Sequence, residues 1–505
     1  MNKSVLLSLI IFLQIIPSIL YAQDYLLINN TIHSGNQEFL YSDSCNAHTA
    51  LKSSLNFENH MSKIVDFDNP VLLDKGSNSW FKRKLLYEHF GVVKTDDYVL
   101  IVSPLLDLEY SRDFSNNESN YYNTRGAFVY GNIGKRLSFN TSVYETQASF
   151  PEYIDNYYQR FGVIPGQPRV KLYGTNAYDW GSAFGSVTLK ATKFLHFQVG
   201  NDKNFIGDGY RSFMLSDFAP QYMYFKTNLK FGRFYYQNLL MSTLNPNFNN
   251  ILGTDENWSE NSLYDKKMIS ITYVGVNITD WLQVGLFEAV VFGRYEDFIN
   301  VLNPIPLIRR FQFADEYNIN NISGLNINTK LQNTNIYGQL VFNREWEIAT
   351  QLGVKFNKTI GGDKVFAQLE YNYNNYGYDF FTDTEVHYGH YNQALAHPGG
   401  NGFNEVLINA SYQHKRWYIS TSAAKIWYMN RSNGTLLYGG GFITPVFAFA
   451  GEVFTAKLEP AFIINQSYNL MAFASLRYYN QTIDKDYLIV GFGLKTAMRN
   501  KYYDF

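Results

Sequence analysis

The stretch Val365-Phe366-Ala367-Gln368-Leu369-Glu370-Tyr371-Asn372-Tyr373-Asn374 decides the fold class. Its odd positions are Val, Ala, Leu, Tyr and Tyr, and its even positions are Phe366, Gln368, Glu370, Asn372 and Asn374. Successive side chains of a strand point to opposite faces, so one face here is apolar and the other almost wholly hydrophilic. The same alternation sets Leu352, Val354 and Phe356 against Gln351, Gly353, Lys355 and Asn357. It recurs with Ile408, Ala410 and Tyr412 against Asn409, Ser411 and Gln413. Close to the C-terminus, Leu488, Val490, Phe492 and Leu494 face away from Ile489, Gly491 and Gly493.

A soluble β-sandwich would alternate too, and composition separates the two readings. The chain has 41 Tyr, 40 Phe and 7 Trp, so aromatics reach 17%, equal to the charged fraction. Mean hydropathy is nevertheless only −0.24. Strands that face lipid on one side and water on the other average to such a value, and their ends carry aromatic girdles. The alternating segments run to about 10 residues, the length a tilted strand needs to cross a bilayer. With 13 prolines in 505 residues, long stretches can pair in sheets. About 19 such segments lie between 98–110 and 486–496, one of them at 434–446, and an even number is expected of a bacterial single-chain barrel. The sequence therefore predicts an all-β, transmembrane, antiparallel up-and-down β-barrel of about 18 strands, within 16–20. It is expected to carry a short helical N-terminal element and long loops.

The N-terminus reads as an export signal. Lys3 supplies the positive charge, Val5 to Ile19 the apolar run, and Ala22 followed by Gln23 the cleavage point, with Leu20 where a small residue is usual. The run is short for a span of roughly 20 residues, and no later stretch is long and apolar enough for a helical one. Residues 1–22 are thus expected to be removed, 23–97 to form an N-terminal extension, and 98–505 to form a barrel in a bacterial outer membrane. The lone Cys45 lies too far from the apolar run to be acylated and provides no intramolecular disulfide. A net charge of −2 argues against nucleic acid as a partner. The terminal Phe505, following Tyr502-Tyr503-Asp504, resembles the aromatic ending by which barrel-assembly machinery recognises such chains.

Alternation fails in four regions. Within the extension, Ser77 to Phe90 reads as a helix with Ser77 or Ser79 as N-cap and Trp80, Leu85 and Leu86 as apolar contacts. Residues 148–180, 294–318 and 375–403 read as long loops, which belong mostly on the outer side of such a barrel. The insert Gly200 to Ser212 crowds Asp202, Lys203, Asp208 and Arg211, and its three glycines permit positive φ and close backbone approach. It reads either as a luminal salt-bridge cluster or as a ligand contact. A phosphate cradle at Gly207-Asp208-Gly209 would need a following helix, and none is indicated. The second segment, Tyr388 to Glu405, contains His390, Tyr391, His397, Asn401 and Glu405. With His387, its histidines do not match a zinc spacing. Aromatic faces beside amides and carboxylates suit sugar rings, and loop packing is the alternative. Arg309 and Arg310, in the 294–318 insertion, complete the candidate set with Tyr388. No hydrolase elbow, zinc-protease motif or P-loop is present, so neither an enzyme nor a cofactor is indicated.

These segments resemble the Wzi-like capsule-assembly barrels, and within them the gliding-motility RemB branch. The matching stretches are His48-Thr49-Ala50-Leu51-Lys52, Asn123-Thr124-Arg125-Gly126, Val163-Ile164-Pro165-Gly166, Phe205 to Ser212 with Leu215-Ser216-Asp217, Tyr391-Asn392-Gln393, Leu395 to Pro398, and Asn401 to Glu405. One departure is Ser53-Ser54 after Lys52, where the family pattern has Lys-Pro-Tyr. The resemblance implies an 18-stranded barrel with a small helical element and a non-enzymatic, lectin-like role with capsular polysaccharide at the cell surface.

The expected partners are outer-membrane lipid and lipopolysaccharide, surface polysaccharide, the barrel-assembly machinery and, in a second reading, motility or adhesion proteins. A third reading is a diffusion porin, with Lys203, Arg211, Arg309 and Arg310 setting ion selectivity. A lumen plugged by the N-terminal helix and residues 294–318 would instead make conductance negligible.

Overall fold

The computed structural model describes residues 28–31, 40–41, 45, 47–52, 79–174, 176–246, 264–292, 319–343, 346–375, 386–429, 451–482, 485–496 and 498–505. Eighteen antiparallel strands form one closed barrel. They are β1 Tyr98–Asp113, β2 Glu118–Ile133, β3 Leu137–Ala148, β4 Ala177–Lys190, β5 Leu195–Asp202, β6 Tyr222–Phe231, β7 Phe234–Pro246, β8 Tyr264–Asn277 and β9 Leu282–Phe292. The second half comprises β10 Ile319–Leu331, β11 Thr334–Phe342, β12 Ile348–Ile360, β13 Asp363–Asn374, β14 Phe403–His414, β15 Trp417–Tyr428, β16 Gly451–Asn465, β17 Leu470–Gln481 and β18 Tyr487–Lys495. Each strand pairs with the next, and β18 returns to β1 from Ile489 opposite Asp113 to Lys495 opposite Asp107. Closure matters because an open sheet edge in lipid would leave backbone groups without partners. The alternating segment expected at 434–446 lies outside the described residues, and the other alternating segments coincide with these strands.

The barrel is apolar outside and polar inside. In β13, Phe366, Gln368, Glu370, Asn372 and Asn374 are buried toward the lumen, while Leu369 and Tyr371 are exposed on the exterior. In β18, Leu488, Val490, Phe492 and Leu494 point outward and Ile489 inward. A water-soluble sandwich has the opposite arrangement, so the exterior is a surface for lipid.

The two ends differ. At one end the strands are joined by short turns at 134–136, 191–194, 232–233, 278–281, 332–333, 361–362, 415–416 and 466–469. The longer connections, such as those that follow Ala148, Asp202 and Asn374, leave the wall at the other end. Exposed Tyr98, Phe231, Trp281 and Trp417 ring the short-turn end as an aromatic girdle. Toward the long-loop end the outward face turns polar, with Arg125 directly opposite Glu145. The apolar band therefore sits nearer the short turns, which in barrels of this kind are periplasmic.

Helix α1, Trp80–Leu86, is shorter than the Ser77–Phe90 span read from sequence. Ser79 occupies its N-cap position but makes no side-chain cap hydrogen bond, and no residue of the helix is buried. The carbonyl oxygens of Lys84, Tyr87 and Glu88 accept hydrogen bonds from Asn465, Ser467 and Tyr468 around the β16–β17 turn. That holds α1 at the rim rather than in the lumen. A second helix, α2 Glu152–Phe161, lies in the β3–β4 connection and ends on Gly162 at φ +71°. Its Tyr153 stacks on Tyr479 of β17, with ring centroids 4.0 Å apart.

Phe505 does not end the last strand. Alternation stops at Lys495, and the described residues of the tail, 496 and 498–505, turn back into the lumen. There Arg499 forms a two-pronged ion pair with Asp202, Lys501 pairs with Asp107, and Tyr502 donates to Asp217 at 2.6 Å. Phe505 packs edge-on against Tyr157 of α2 and Phe218.

Candidate functional site

The lumen is filled by parts of the chain that are far apart in sequence. The β5–β6 connection brings in Ile206, Phe213, Met214, Leu215 and Phe218, and the β13–β14 connection adds Tyr388, Leu395 and Ala396. These bury together with inward residues such as Tyr273 of β8, Phe287 of β9, Val341 of β11, Phe403 of β14 and Ile489 of β18. One apolar core thus spans the barrel cross-section. The loops, the Ala50–Leu51 segment and the tail supply its filling, and the strands its surround. Helix α1 lies at the rim and is not part of this filling, and the insertion at 294–318, the other element considered as a plug, lies outside the described residues.

Around this core runs a hydrogen-bonded charge network. Arg211 is 1% exposed and meets Glu405, 0% exposed, at 3.2 Å. It also meets Asp504 of the tail at 3.2 Å and donates to the Asp504 carbonyl at 2.9 Å. Burial alone would push the Arg211 guanidinium down, but Asp504 and Glu405 carry it well above its ordinary value. Glu405 also accepts from Asn372 at 2.7 Å and lies 2.8 Å from His397 Nε2. His397 Nδ1 accepts from the Gly399 N–H at 3.0 Å, so Nε2 carries the proton that faces Glu405. The imidazole is stacked on Phe213, and burial lowers its pKa despite Glu405.

Glu370 of β13 binds the other side of this insert. It accepts from the Tyr210 and Arg211 N–H groups at 2.8 and 3.2 Å and from the Tyr337 hydroxyl at 2.7 Å. Asp208 takes the Thr49 hydroxyl at 2.5 Å and the amides of Asn326 and Asn328 at 3.2 and 3.3 Å. The segment Ala47–Lys52 is thereby held inside the barrel, with Lys52 donating to the Gly209 carbonyl at 2.7 Å. A Cβ on Gly209 would lie 2.6 Å from both Gln351 Oε1 and Glu370 Oε2, so close approach explains that glycine. Gly207 needs its residue type for conformation, at φ +143°.

Lys203 donates to the carbonyls of Asp217 and Gly166 at 3.0 and 3.3 Å. Tyr388 donates to the Met214 carbonyl at 2.7 Å. His390 Nδ1 accepts from the Leu244 N–H and Nε2 faces the Gln221 carbonyl, both at 3.0 Å. Both ring nitrogens are thus used, and burial pushes the pKa down to about 3. Tyr391 is half-buried at φ +51°, against His390. Asn401 Oδ1 is buried and has no hydrogen-bond partner among the described residues. Arg309 and Arg310 lie outside the described residues. Among those described, no group of three or more His, Cys, Asp or Glu is arranged to hold a metal. The structure brings Arg211, His397 and Glu405 into one cluster, with Asp202, Lys203, Asp208 and His390 in separate contacts.

Between this network and the short-turn end lies a cavity of about 230 Å³. Phe366, Gln368, Asn409, Ser411, Tyr418 and Ser420 line one side. On another, Glu459 lies between Lys457 and Lys495, at 2.7 and 2.5 Å. None of these was singled out from sequence as a site residue, although the hydrophilic face of β13 and the Asn409/Ser411 face of β14 had been legible. A tail that turns inward carries one signal, the end of alternation after Lys495.

No protein-family model matches the chain, and no curated protein matches it in sequence. Among solved structures it is similar to Wzi of Escherichia coli, described as an outer-membrane protein involved in group 1 capsule assembly and a carbohydrate-binding β-barrel. The TM-score is 0.56 at 13% identity, over 94% of this chain and 100% of that one. The likeness is one of fold. Pseudomonas aeruginosa OccK1 matches with a TM-score of 0.43 at 8% identity, over 79% of this chain and 98% of that one.

Proposed function

We propose that this chain is a bacterial outer-membrane barrel that binds or helps assemble surface polysaccharide, capsular in type, without catalysing a reaction. One observation carries the reading: a lumen closed by a folded interior contains a polar cavity with aromatic faces. Phe366 and Tyr418 stand beside Gln368, Asn409, Ser411 and Ser420 in a space of about 230 Å³. The C–H face of a pyranose stacks on such rings, while amides and hydroxyls take its hydroxyl groups. The fold likeness to Wzi, itself described as carbohydrate-binding, supports the same reading. Removal of residues 1–22, contact with lipopolysaccharide at the long-loop end and delivery by barrel-assembly machinery belong to it. Arg211, His397, Glu405, Asp208 and Lys203 would then serve by holding the interior that shapes the cavity.

Glycan-array binding by the purified protein and coat retention in a deletion strain test this. Wild-type protein binds and Tyr418→Ala binds more weakly; absence of binding together with an unchanged coat overturns the proposal. The resemblance of the 205–217 and 391–405 segments to the RemB branch motivates a second reading, an accessory to gliding or adhesion machinery. It predicts a spreading defect with an intact coat and co-purifying protein partners.

A further inference from the structure

The segment from Trp80 to Lys94 has an apolar surface that no described part of the chain covers. Trp80 and Phe81 are 54% and 68% exposed, and Leu85, Phe90 and Val93 are exposed with them. The opposite side of the segment is fixed. Asn465, Ser467 and Tyr468 bind the carbonyls at the end of α1, and buried His89 lies 2.9 Å from the Ser103 hydroxyl of β1. The Arg416 guanidinium, in the turn before exposed Trp417, sits 5.7 Å from the Tyr87 ring centroid. The aromatic side is therefore held outward at the level of the girdle.

Two observations point to what covers it. The first is continuity with the lipid-facing wall. Residues Gly91–Lys94 pair with Val99–Val102 of β1, below the point where β18 ends opposite Asp107. Val93 lies opposite Leu100, on the outward face of the barrel. The second is charge. Lys82, Arg83 and Lys84 follow the two aromatics, and Glu88 pairs with Arg83 and Lys84 at 3.1 and 2.9 Å. Lys82 is exposed and in no ion pair among the described residues.

We propose that Trp80–Lys94 is an interfacial foot for the phospholipid leaflet at the short-turn end of the barrel. Trp80, Phe81, Leu85 and Phe90 enter the boundary between headgroups and acyl chains, while Lys82 and Arg83 reach phosphate oxygens of anionic headgroups. Aromatic and basic residues on one short element suit that boundary, where rings sit at headgroup depth and long cationic side chains extend into water. The foot also locks the seam between β1 and the β16–β17 turn, so leaflet contact is transmitted to the site where the barrel closes.

The test uses the full chain with Cys45→Ser and a single new cysteine, Phe81→Cys, carrying an environment-sensitive fluorophore. Lys135→Cys, in another turn at the same end, is the reference. Both are reconstituted in phosphatidylcholine vesicles with and without phosphatidylglycerol, and retained heat-modifiable mobility verifies the barrel. The probe at position 81 is expected to be blue-shifted, quenched by lipids brominated on the acyl chain and protected from iodide. The probe at 135 is expected to show the reverse. Lys82→Glu with Arg83→Glu is expected to abolish the additional shift caused by phosphatidylglycerol. Equal iodide quenching at both sites, without bromolipid quenching at 81, overturns the proposal. So does a blue shift that disappears on dilution of protein into more lipid, which would assign the surface to a second copy of the chain.

Discussion

The wall and the interior of this barrel are built by different rules. In the wall every strand pairs with its sequence neighbour, apart from the closing pair of β18 and β1. Backbone ladders hold it, and within the apolar band each outward side chain needs only to tolerate lipid. Among the described residues the interior has only short backbone pairings, Gly389–His390 with Gln393–Ala394 and a bridge between Ile206 and Leu215. Arg211 reaches Glu405 across 194 positions and Asp504 across 293, while Thr49 reaches Gln283 across 234. Interior order therefore depends largely on individual side chains, and single substitutions there should act on the plug while sparing the wall.

The largest effect is expected at Arg211. Arg211→Ala leaves Glu405 and Asp504 without their buried counter-charge, a change that costs about 3–5 kcal/mol. Chemical denaturation in micelles should show an earlier loss of near-UV circular dichroism, with far-UV strand signal persisting to higher denaturant. Simultaneous loss of both signals would merge the two regions into one cooperative unit.

Ending the chain at Lys495 should have the next largest effect. It deletes the Asp202, Asp107 and Asp217 contacts of the tail but leaves the β18–β1 seam intact. The shortened protein is expected to reach the outer membrane and keep heat-modifiable mobility while its interior loosens. Failure to insert would return Phe505 to the role of an insertion signal.

A smaller effect concerns pH. Burial lowers His390 from 6.5 to about 3, so the unfolded chain binds the extra proton between those values. The stabilisation from the neutral ring is complete above 6.5 and is lost as pH falls toward about 3. Unfolding midpoints should fall with acidification across this window, and less steeply in His390→Gln. Equal slopes would remove His390 from the interior's acid response.

The same contrast explains what could be read from sequence. In β13 and β18 one face meets lipid and the other the lumen, so alternation marks them plainly. β2 and β4 begin at Glu118 and Ala177, earlier than the alternation at 124 and 183 indicates. Their first residues extend toward the long loops, where the outward side includes Asp179 and no longer needs to be apolar. The interior leaves no period because its contacts are neither local nor repetitive. Arg211 and Glu405 were visible as charges in polar inserts, but Asp504 as the third member was hidden behind the terminal aromatic pattern. The stretches that resemble Wzi-like barrels at 48–52, 205–217 and 391–405 largely form the interior, so the resemblance marks the filling of the lumen as much as any ligand.

Conductance in planar bilayers tests most directly the claim that the wall encloses a folded plug. The full chain is expected to insert without stable current steps, because the core from Phe213 to Leu395 spans the lumen. Stable ohmic steps from the full chain, unaffected by Arg211→Ala or by ending the chain at Lys495, would contradict it.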